Sequence, residues 1–388
     1  MNICIVGAGL MGCTLGYLLS ERGHKITIYE SEKQIGGLCK TMYLNGLKYE
    51  HSGHIFHTNN KKIVDFIKRF CKIRRFKHYV GAKINNSGRI YPFPICERTI
   101  EEHPQKKQIL KEINNSPKIP RKDNFEVASI DMMGKTLYNQ FVKRYTKKMW
   151  NKDPKELPAE MAIKRISPNK KDESYFKEKY QFYPLPDFNY LFKKMTEKCK
   201  IIFTSDVGIY GDVDFSWFKY NKDFDLIITT GKMDVFLNED MFRMKSYFFP
   251  LLEYTGINVV PYIKNEKNVN GNYGTINYPN HSNLLRITEY KKINGQVSDN
   301  SLITKEYPFY KGDQYPITTE RNEVLFKRYL FELCKHYKNV ITFGRLGLYK
   351  YLNMDECIEL CLNNLDFIEN YLKMIPIEKY NKYMELRK

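Results

Sequence analysis

The N-terminal segment, residues 1–30, alternates short apolar runs with a longer amphipathic stretch. The apolar run ICIV at 3–6 predicts a buried strand, and a glycine-rich turn follows it. The stretch LMGCTLGYLLSERG predicts a helix that ends at Gly23, and KITIYE at 25–30 predicts a second buried strand. This strand–helix–strand order predicts an α/β domain with a parallel sheet.

The middle of the chain changes from strand to helix periodicity. Residues 78–95 predict a β-hairpin around the turn NNSG, and residues 98–150 have the amphipathic spacing of several helices. The polar run SPNKKDES at 167–174 predicts a mobile loop. A helical segment inserted into an α/β domain is therefore expected.

The remaining pattern returns to strands and then to helices. Residues 60–72 and the run NYLFKKMTEKC predict helices, whereas KIIFTSDV and FDLIITTG predict buried strands. Residues 241–318 favour strands with long turns, and 323–373 are mainly helical with an interruption at VITFGRLGLYKYLNMD. The order indicates a discontinuous α/β domain with insertions.

Composition changes this picture little. The 388 residues carry a net charge of +19, but the basic residues are spread evenly, which favours coding bias over a nucleic-acid surface and leaves room for an anionic ligand. The nine cysteines are odd in number and form no CxxC pair, which is typical of reduced thiols in a cytoplasmic protein. We expect no signal peptide, because a strand begins at once, and no membrane span, because no 18-residue apolar run occurs.

The glycine-rich turn has the spacing of a dinucleotide site. In GAGLMG, Gly7 permits the tight turn, Gly9 lets the backbone approach a pyrophosphate, and Gly12 allows close packing of helix on sheet. Glu30 ends the second strand, where its carboxylate can accept hydrogen bonds from ribose hydroxyls. The pair Gly36–Gly37 follows soon after, an arrangement that resembles the FAD-binding motif of glutathione-reductase-like flavoproteins.

Further motifs resemble the UDP-galactopyranose mutase family, and they occur in the family's order along nearly the whole chain. They are HSGHIFHTNNKKIVDFI, YTKKMWNKDPKELPAEMAIKR, YFKEKYQFYP, TTGKMDVFL, ITKEYPFYKGDQYPI and FGRLGLYKYLNMD. The resemblance implies an FAD-binding domain, an inserted helical domain and a six-stranded antiparallel sheet. It divides the chain into an FAD-binding domain (1–75, 195–240 and 323–388), a helical domain (98–178, with a mobile substrate loop near 165–175) and an antiparallel sheet domain (76–97, 179–194 and 241–322).

The resemblance also implies an activity. Enzymes of this family are isomerases that contract a nucleotide-diphosphate hexopyranose to its furanose through a flavin N5–sugar adduct, without net redox change. For this chain it implies FAD in reduced form, UDP-galactose or a related sugar nucleotide as substrate, an external reductant such as NAD(P)H, and a homodimer. No metal is needed. The pathway it suggests is the synthesis of a furanose-containing surface glycan.

Residue roles follow position by position from the matching motifs. On the substrate side, the resemblance matches two groups of residues to the family's contacts. Those matching contacts to the diphosphate are Tyr145, Arg286, Tyr315 and Tyr351, and those matching contacts to the uracil are Trp150 and Tyr180. Arg345 matches an arginine at both flavin and substrate, and Met354 and Asp355 open a helix that approaches the flavin. Guanidinium forks and phenolic donors suit a diphosphate, and aromatic faces suit a base.

One departure concerns a second diphosphate arginine that the family carries in the mobile loop. Here the run is KRISPNKKDESYF, so Pro168 or Asn169 occupies that position. Lys170 or Lys171 can supply charge, but a lysine gives no bidentate fork. The turn GGLC and the strand YPFPIC also differ from the family, which indicates that the sugar itself can differ.

Three histidines stand close together in HSGHIFHTNN. Their spacing of three residues and the lack of a partner cluster argue against a metal site. The resemblance implies that Gly53 and His54 form the loop beside the flavin, with Gly53 giving backbone freedom and His54 a catalytic polar group. His57 is expected to support that loop, and His51 to be scaffold.

Two other functions remain open from the sequence. An FAD-dependent oxidase or dehydrogenase of the amine-oxidase type shares the N-terminal motif, although the motifs around Trp150 and Arg345 argue against it. If the absence of the loop arginine abolishes turnover, the protein is a non-catalytic flavoprotein that binds a nucleotide sugar.

Overall fold

We analysed a computed structural model of the protein, which describes residues 1–84, 88–163, 171–203, 223–234, 237 and 250–387. The strands in these ranges are, in chain order, β1 (Asn2–Val6), β2 (Lys25–Glu30), β3 (Met42–Leu44), β4 (Leu47–Tyr49), β5 (Phe56–Thr58), β6 (Lys72–Arg75), β7 (Val80–Ala82), β8 (Tyr91–Phe93), β9 (Tyr180–Leu185), β10 (Lys200–Phe203), β11 (Leu226–Thr229), β12 (Tyr254–Lys264), β13 (Thr275–Asn277), β14 (Arg286–Glu289), β15 (Ser301–Phe309), β16 (Tyr315–Pro316) and β17 (Val340–Thr342).

The helices alternate with these strands at the two ends of the chain and cluster in its middle. They are α1 (Leu10–Glu21), α2 (Lys61–Lys68), α3 (Glu97–Glu101), α4 (Lys106–Asn114), α5 (Phe125–Leu137), α6 (Lys143–Trp150), α7 (Glu160–Ile163), α8 (Phe188–Met195), α9 (Lys291–Asn294), α10 (Glu320–His336), α11 (Gly344–Gly347), α12 (Met354–Asn363), α13 (Leu365–Asn370) and α14 (Pro376–Leu386).

The parallel sheet predicted from the N-terminal pattern is confirmed. Its strand order is β10-β2-β1-β11-β17, and every adjacent pair is parallel. The apolar runs of β1, β2, β11 and β17 are buried because helices cover the sheet, as in other parallel sheets, whereas the edge strand β10 leaves Phe203 exposed. The carboxyl end of β1 therefore lies at the centre of the sheet, directly before the glycine turn.

A second sheet has seven strands among the described residues, in the order β16-β12-β15-β14-β13-β7-β8. The expected hairpin is present as the antiparallel pair β7 and β8. The expectation of six antiparallel strands is wrong in two respects, since there are seven and β7 pairs with β13 in parallel. The hairpin precedes the helical insertion in the chain and β13 follows it. Because no tight turn joins β7 to β13, the two strands can pair in parallel.

The segment 179–194 was assigned from sequence to the antiparallel sheet domain, and the structure corrects this. Strand β9 pairs with β5 and β6 in a separate three-stranded sheet. Helix α8 buries Phe188 and Phe192 in the core beneath the parallel sheet. The physical reason is the apolar face of α8, which packs on α1 rather than on the large sheet.

The helical insertion has its own core, and it is kinked. Gly134 interrupts α5 with φ +80° and ψ 160°, and a π-helical turn at Tyr138–Val142 leads into α6. The kink frees backbone N–H groups, and Glu112 accepts from the N–H and the hydroxyl of Thr136, each at 2.8 Å. Within the described ranges, no helix is both long and apolar enough to cross a membrane.

Candidate active site

The first glycine turn joins β1 to α1 and leaves the start of the helix open. Gly9 is the N-cap of α1 and offers no side-chain cap to its first N–H groups. Gly7 has φ +97°, and a Cβ at Gly12 would lie 1.9 Å from the carbonyl oxygen of Gly7. The turn and the close packing agree with what the spacing predicts for Gly7 and Gly12, and the uncapped N–H groups at the start of α1 can bind an anion.

A second glycine turn packs against the first. Gly36 and Gly37 have φ +118° and +55°, and the N–H of Gly36 donates to the carbonyl of Ala8 at 2.7 Å. Glu30 accepts from the N–H of Ala8 at 2.7 Å and from the N–H of Glu32 at 2.9 Å. The carboxylate thus fixes the loop as well as ending β2.

This double turn fits the adenosine-diphosphate half of FAD. A dinucleotide pyrophosphate and ribose require open space beside the backbone, an uncapped helix start and a nearby carboxylate. A Cβ at Gly9 would meet no atom nearer than Cα of Gly37, at 3.9 Å, and the start of α1 has no side-chain cap. Met354 and Asp355, which are expected near the flavin, open α12, and the sulfur atoms of Met354 and Cys39 lie 3.6 Å apart. Oδ1 of Asp355 is buried and has no hydrogen-bond partner among the described residues.

The histidine segment leads from β4 into β5, and its backbone differs from expectation. The left-handed residue is Ser52, with φ +82°, and not Gly53. Gly53 is closely packed, since a Cβ there would lie 3.2 Å from Cδ1 of Ile293. The positive φ in this loop is therefore at Ser52, and Gly53 lies in close contact with α9.

The three histidines have separate environments. Nδ1 of His54 lies 3.2 Å from the carbonyl of Ser52, and burial together with the charge of Arg345 lowers the pKa of His54 to about 3. His57 stacks on Phe176 with ring centroids 3.9 Å apart. Nε2 of His51 lies 3.1 Å from the carbonyl of Ile257. No group of three or more His, Cys, Asp or Glu residues in the described ranges could hold a metal ion.

Arg286 begins β14 and is held by a buried carboxylate. Its Nε donates to Glu306 at 2.5 Å and its Nη2 donates to the hydroxyl of Ser52 at 2.8 Å. Glu306 is fully buried, so although burial opposes the charge, this carboxylate raises the pKa of Arg286 well above its usual value. Sequence reasoning missed Glu306, although it stands in the quoted motif ITKEYPFY.

Arg345 lies beside two stacked tyrosine rings, at similar distances from both. Its guanidinium carbon is 5.4 Å from the ring centre of Tyr315 and 5.0 Å from that of Tyr351, and these rings are 6.2 Å apart. Its Nε and Nη2 both donate to the carbonyl of Leu352. Trp150 packs edge-on against Tyr315, with ring centroids 6.4 Å apart.

The structure thus brings most of the expected substrate residues together. Tyr145, on the same helix as Trp150, and Tyr315 both lie within electrostatic range of Arg286. Arg345 is likewise close enough to His54 to help lower its pKa. The result is a half-buried cluster of two arginines and several aromatic rings beside the histidine loop.

Tyr180 is not part of this cluster. It lies in β9, where the charges over its ring are Arg75 and Lys179. Tyr175 lies closer to the cluster, because its ring contacts that of His78. Burial and the nearby charge of Arg286 lower the pKa of His78 to about 3, so His78 is itself near Arg286. The two tyrosines are five residues apart in the same motif, so spacing alone did not separate them.

The candidates for the missing loop arginine are only partly described. Pro168, Asn169 and Lys170 lie outside the described residues, and Lys171 is exposed at the start of the next range. Directly after it, Asp172 pairs with Lys77 at 3.2 Å and Glu173 pairs with Arg98 at 2.9 Å. This end of the segment is therefore fixed by ion pairs to the hairpin and to α3.

Comparison with known proteins gives an independent view of this geometry. The family model for UDP-galactopyranose mutase matches residues 140–351, and that for an NAD(P)-binding Rossmann-like domain matches residues 5–70. The chain is 27% identical to a probable UDP-galactopyranose mutase of Klebsiella pneumoniae over 94% of each chain. It is 26% identical to a dTDP-fucopyranose mutase of Escherichia coli, covering 92% of this chain and 96% of the relative.

The fold agrees with these matches. A crystal structure of reduced UDP-galactopyranose mutase superposes with a TM-score of 0.78 at 16% identity, covering 100% of this chain and 99% of the other. The mutase model alone spans more than half of the residues, including Trp150, Arg286 and Arg345. The chain therefore belongs to the UDP-galactopyranose mutase family.

Proposed function

We propose that this protein is a flavin-dependent mutase that converts a nucleotide-diphosphate hexopyranose into its furanose, with UDP-galactopyranose or a related sugar nucleotide as substrate. The observation that carries the proposal is the cluster of Arg286 and Arg345 with Tyr315 and Trp150, which lies beside the histidine loop and the double glycine turn. Family membership supports the same activity.

The arginines suit the leaving group of such a reaction. Cleavage at the anomeric carbon develops negative charge on the diphosphate, and preorganised guanidinium groups stabilise that charge. Arg286 is positioned by Glu306, and Arg345 by the carbonyl of Leu352, so neither needs to reorganise when the charge appears. The phenols of Tyr145 and Tyr315 can donate to the same phosphates.

Aromatic groups suit the nucleoside. Trp150 is 6% exposed and lies against Tyr315, which places an indole at the edge of the arginine cluster. An aromatic face binds uracil and thymine alike through stacking. The related mutases named for UDP-galactopyranose and dTDP-fucopyranose use these two bases, so we propose a pyrimidine nucleotide.

FAD is the proposed cofactor, held by Gly7, Gly9, Gly12, Glu30, Gly36 and Gly37 at the adenosine end and by Gly53, His54, Arg345, Met354 and Asp355 at the flavin end. In reduced form it supplies the nucleophilic nitrogen that such a transfer needs. His54 is neutral because of its low pKa, so its Nε2 accepts rather than donates while Nδ1–H donates to the carbonyl of Ser52. The proposal includes an external reductant such as NAD(P)H, a homodimer and a cytoplasmic location, all on family grounds.

The test compares reduced and oxidised protein. Dithionite-reduced protein is incubated anaerobically with UDP-galactopyranose, UDP-N-acetylgalactosamine and dTDP-fucopyranose, and the furanose products are separated by anion-exchange chromatography and identified by NMR. Furanose formed only by the reduced protein is the expected result.

Two other results would replace the proposal. UDP binding without any furanose from the panel indicates a non-catalytic sugar-nucleotide-binding flavoprotein. Oxygen consumption with amines and no affinity for UDP indicates an oxidase. The oxidised protein under the same conditions is the control for contaminating activity.

A further inference from the structure

Ser52 occupies an unusual backbone position for its residue type. It is one of the few non-glycine residues at positive φ in the described ranges, and at +82° it has the largest value among them. It is only 7% exposed, so no solvent-facing turn explains the conformation. A strained residue in a packed site indicates that the surrounding contacts hold it there.

The hydroxyl of Ser52 completes the anchor of the substrate arginine. It accepts from Nη2 of Arg286 at 2.8 Å and lies 3.3 and 3.2 Å from the two carboxylate oxygens of Glu306, to which it donates. Nε of Arg286 also donates to Glu306, so the side chains of Ser52, Arg286 and Glu306 are all hydrogen-bonded to one another. The guanidinium is therefore oriented by two groups, of which only one is charged.

The backbone of Ser52 serves a second arm of the site. Its carbonyl lies 3.2 Å from Nδ1 of His54 and accepts a hydrogen bond from the N–H of that nitrogen. The left-handed conformation allows the hydroxyl to face Arg286 while the carbonyl faces His54. One residue thus connects the loop proposed to lie beside the flavin with the arginine proposed to hold the diphosphate.

We infer that Ser52 is a positioning residue that couples the histidine loop to Arg286 and so sets the affinity for the nucleoside diphosphate. The inference rests on the proposed function for the identity of that ligand. Ser52 acts through Arg286 and His54, and it needs no contact with substrate. The proposed role of Ser52 depends on its hydroxyl. The backbone strain at Ser52 is a separate property, which can be removed independently of that role.

Two variants separate hydroxyl from strain. Ser52→Ala removes the hydroxyl and keeps the left-handed strain, whereas Ser52→Gly removes both. UDP is the probe, titrated into the purified FAD-loaded protein and followed by isothermal calorimetry, and urea unfolding is measured in parallel. Asn45→Gly is the matched control, because Asn45 is also left-handed, at φ +48°, but is exposed in the turn between β3 and β4.

Both Ser52 variants are expected to weaken UDP binding alike, by roughly tenfold, the effect of about one hydrogen bond to a charged group. Ser52→Gly is expected to unfold at higher urea concentration than Ser52→Ala, so affinity and stability do not follow each other. The double variant Ser52→Ala with Arg286→Lys is expected to bind UDP no more weakly than Arg286→Lys alone, because the hydroxyl acts through Arg286.

Unchanged or tighter UDP binding by both Ser52 variants overturns the inference, as does an affinity that simply follows stability across the set. A wild-type protein that binds UDP but forms no furanose refutes the proposed mutase activity and leaves the Ser52 effect measurable. A wild-type protein that binds no UDP refutes both.

Discussion

The two arginines proposed to bind substrate are anchored in the same way by different partners. Arg286 uses Nε and Nη2 on Glu306 and Ser52, and Arg345 uses Nε and Nη2 on the carbonyl of Leu352. In each, the partners found among the described residues leave Nη1 available for a ligand. A planar guanidinium can be anchored at one edge and bind a ligand at the other, whereas an ammonium has a single nitrogen and no such fork.

Replacing Arg345 by lysine tests whether one edge of the guanidinium is anchored while the other binds the ligand. Arg345→Lys keeps the charge, but its single nitrogen cannot reproduce the two edges with which a guanidinium holds Leu352 and binds a phosphate, so we expect UDP affinity to fall by about tenfold to a hundredfold. Arg22→Lys is the control, because Arg22 forms ion pairs with Asp366 and Glu369 on a remote exposed surface. Equal UDP affinity in the two variants would contradict the proposed role.

At the scale of elements, α6 is tied to the loop between β13 and β14 by one buried lysine. Nζ of Lys148 donates to the carbonyls of Tyr278, His281 and Leu284, each at 2.8 Å. Burial lowers the pKa of Lys148 to about 8, yet three carbonyls satisfy all three ammonium protons. This contact sets the helix that carries Tyr145 and Trp150 against the strand that begins with Arg286.

Lys148→Met removes that tie while keeping the length of the side chain. Three carbonyls lose their donor, so we expect the free energy of unfolding to fall by about 3 kcal/mol or more. UDP affinity should fall as well, because Tyr145 and Trp150 are then no longer held in position relative to Arg286. Lys147→Met is the matched control, since Lys147 is exposed on the same helix. Urea unfolding curves that coincide for the two variants would show that α6 is held by other contacts.

At the scale of the whole molecule, Glu50 joins the sheets through its buried carboxyl and its backbone carbonyl. It is fully buried, accepts from the hydroxyl of Tyr183 in the three-stranded sheet, and its carbonyl accepts from the hydroxyl of Tyr290 beside the large sheet. Burial raises the pKa of Glu50 to about 8, although hydrogen bonds from Tyr183 and Thr41 oppose the shift. Folded protein therefore keeps a proton here that the unfolded chain loses near its ordinary value of 4.5.

The sign of the pH effect follows from this difference. Between about pH 4.5 and 8 the folded state binds more protons at Glu50 than the unfolded state, so this residue lowers stability as pH rises and has no further effect above 8. Glu50→Gln should abolish that contribution and raise the unfolding free energy at pH 8.5, relative to wild type, by about 2 kcal/mol or more, with little change at pH 5.

Melting temperatures of wild type and Glu50→Gln, measured from pH 5 to 8.5, test this expectation. The buried histidines with a pKa near 3, His54 and His78, add a slope of opposite sign below pH 6.5, but it cancels in the difference between the two proteins. Glu101→Gln, at an exposed site, is the control. A constant difference between wild type and Glu50→Gln across the range would refute the assignment.

The sequence by itself determined what is encoded locally. The glycine turns, the parallel strands and the start of α1 depend on residues close together in the chain, because turn geometry and apolar periodicity act over one or two elements. The same holds for the motifs that carry Trp150 and Arg345, which were recognisable without knowing what surrounds them.

Only the tertiary structure decided how these pieces meet. Ser52 and Glu306 are 254 positions apart, and Lys148 and Tyr278 are 130 apart, so no local pattern records either contact. The left-handed Ser52 in place of Gly53, the exclusion of Tyr180 and the place of segment 179–194 all follow from packing between distant segments. The sequence specifies the chemistry of each side chain, but the partners of that side chain depend on which surfaces the folded chain buries against each other.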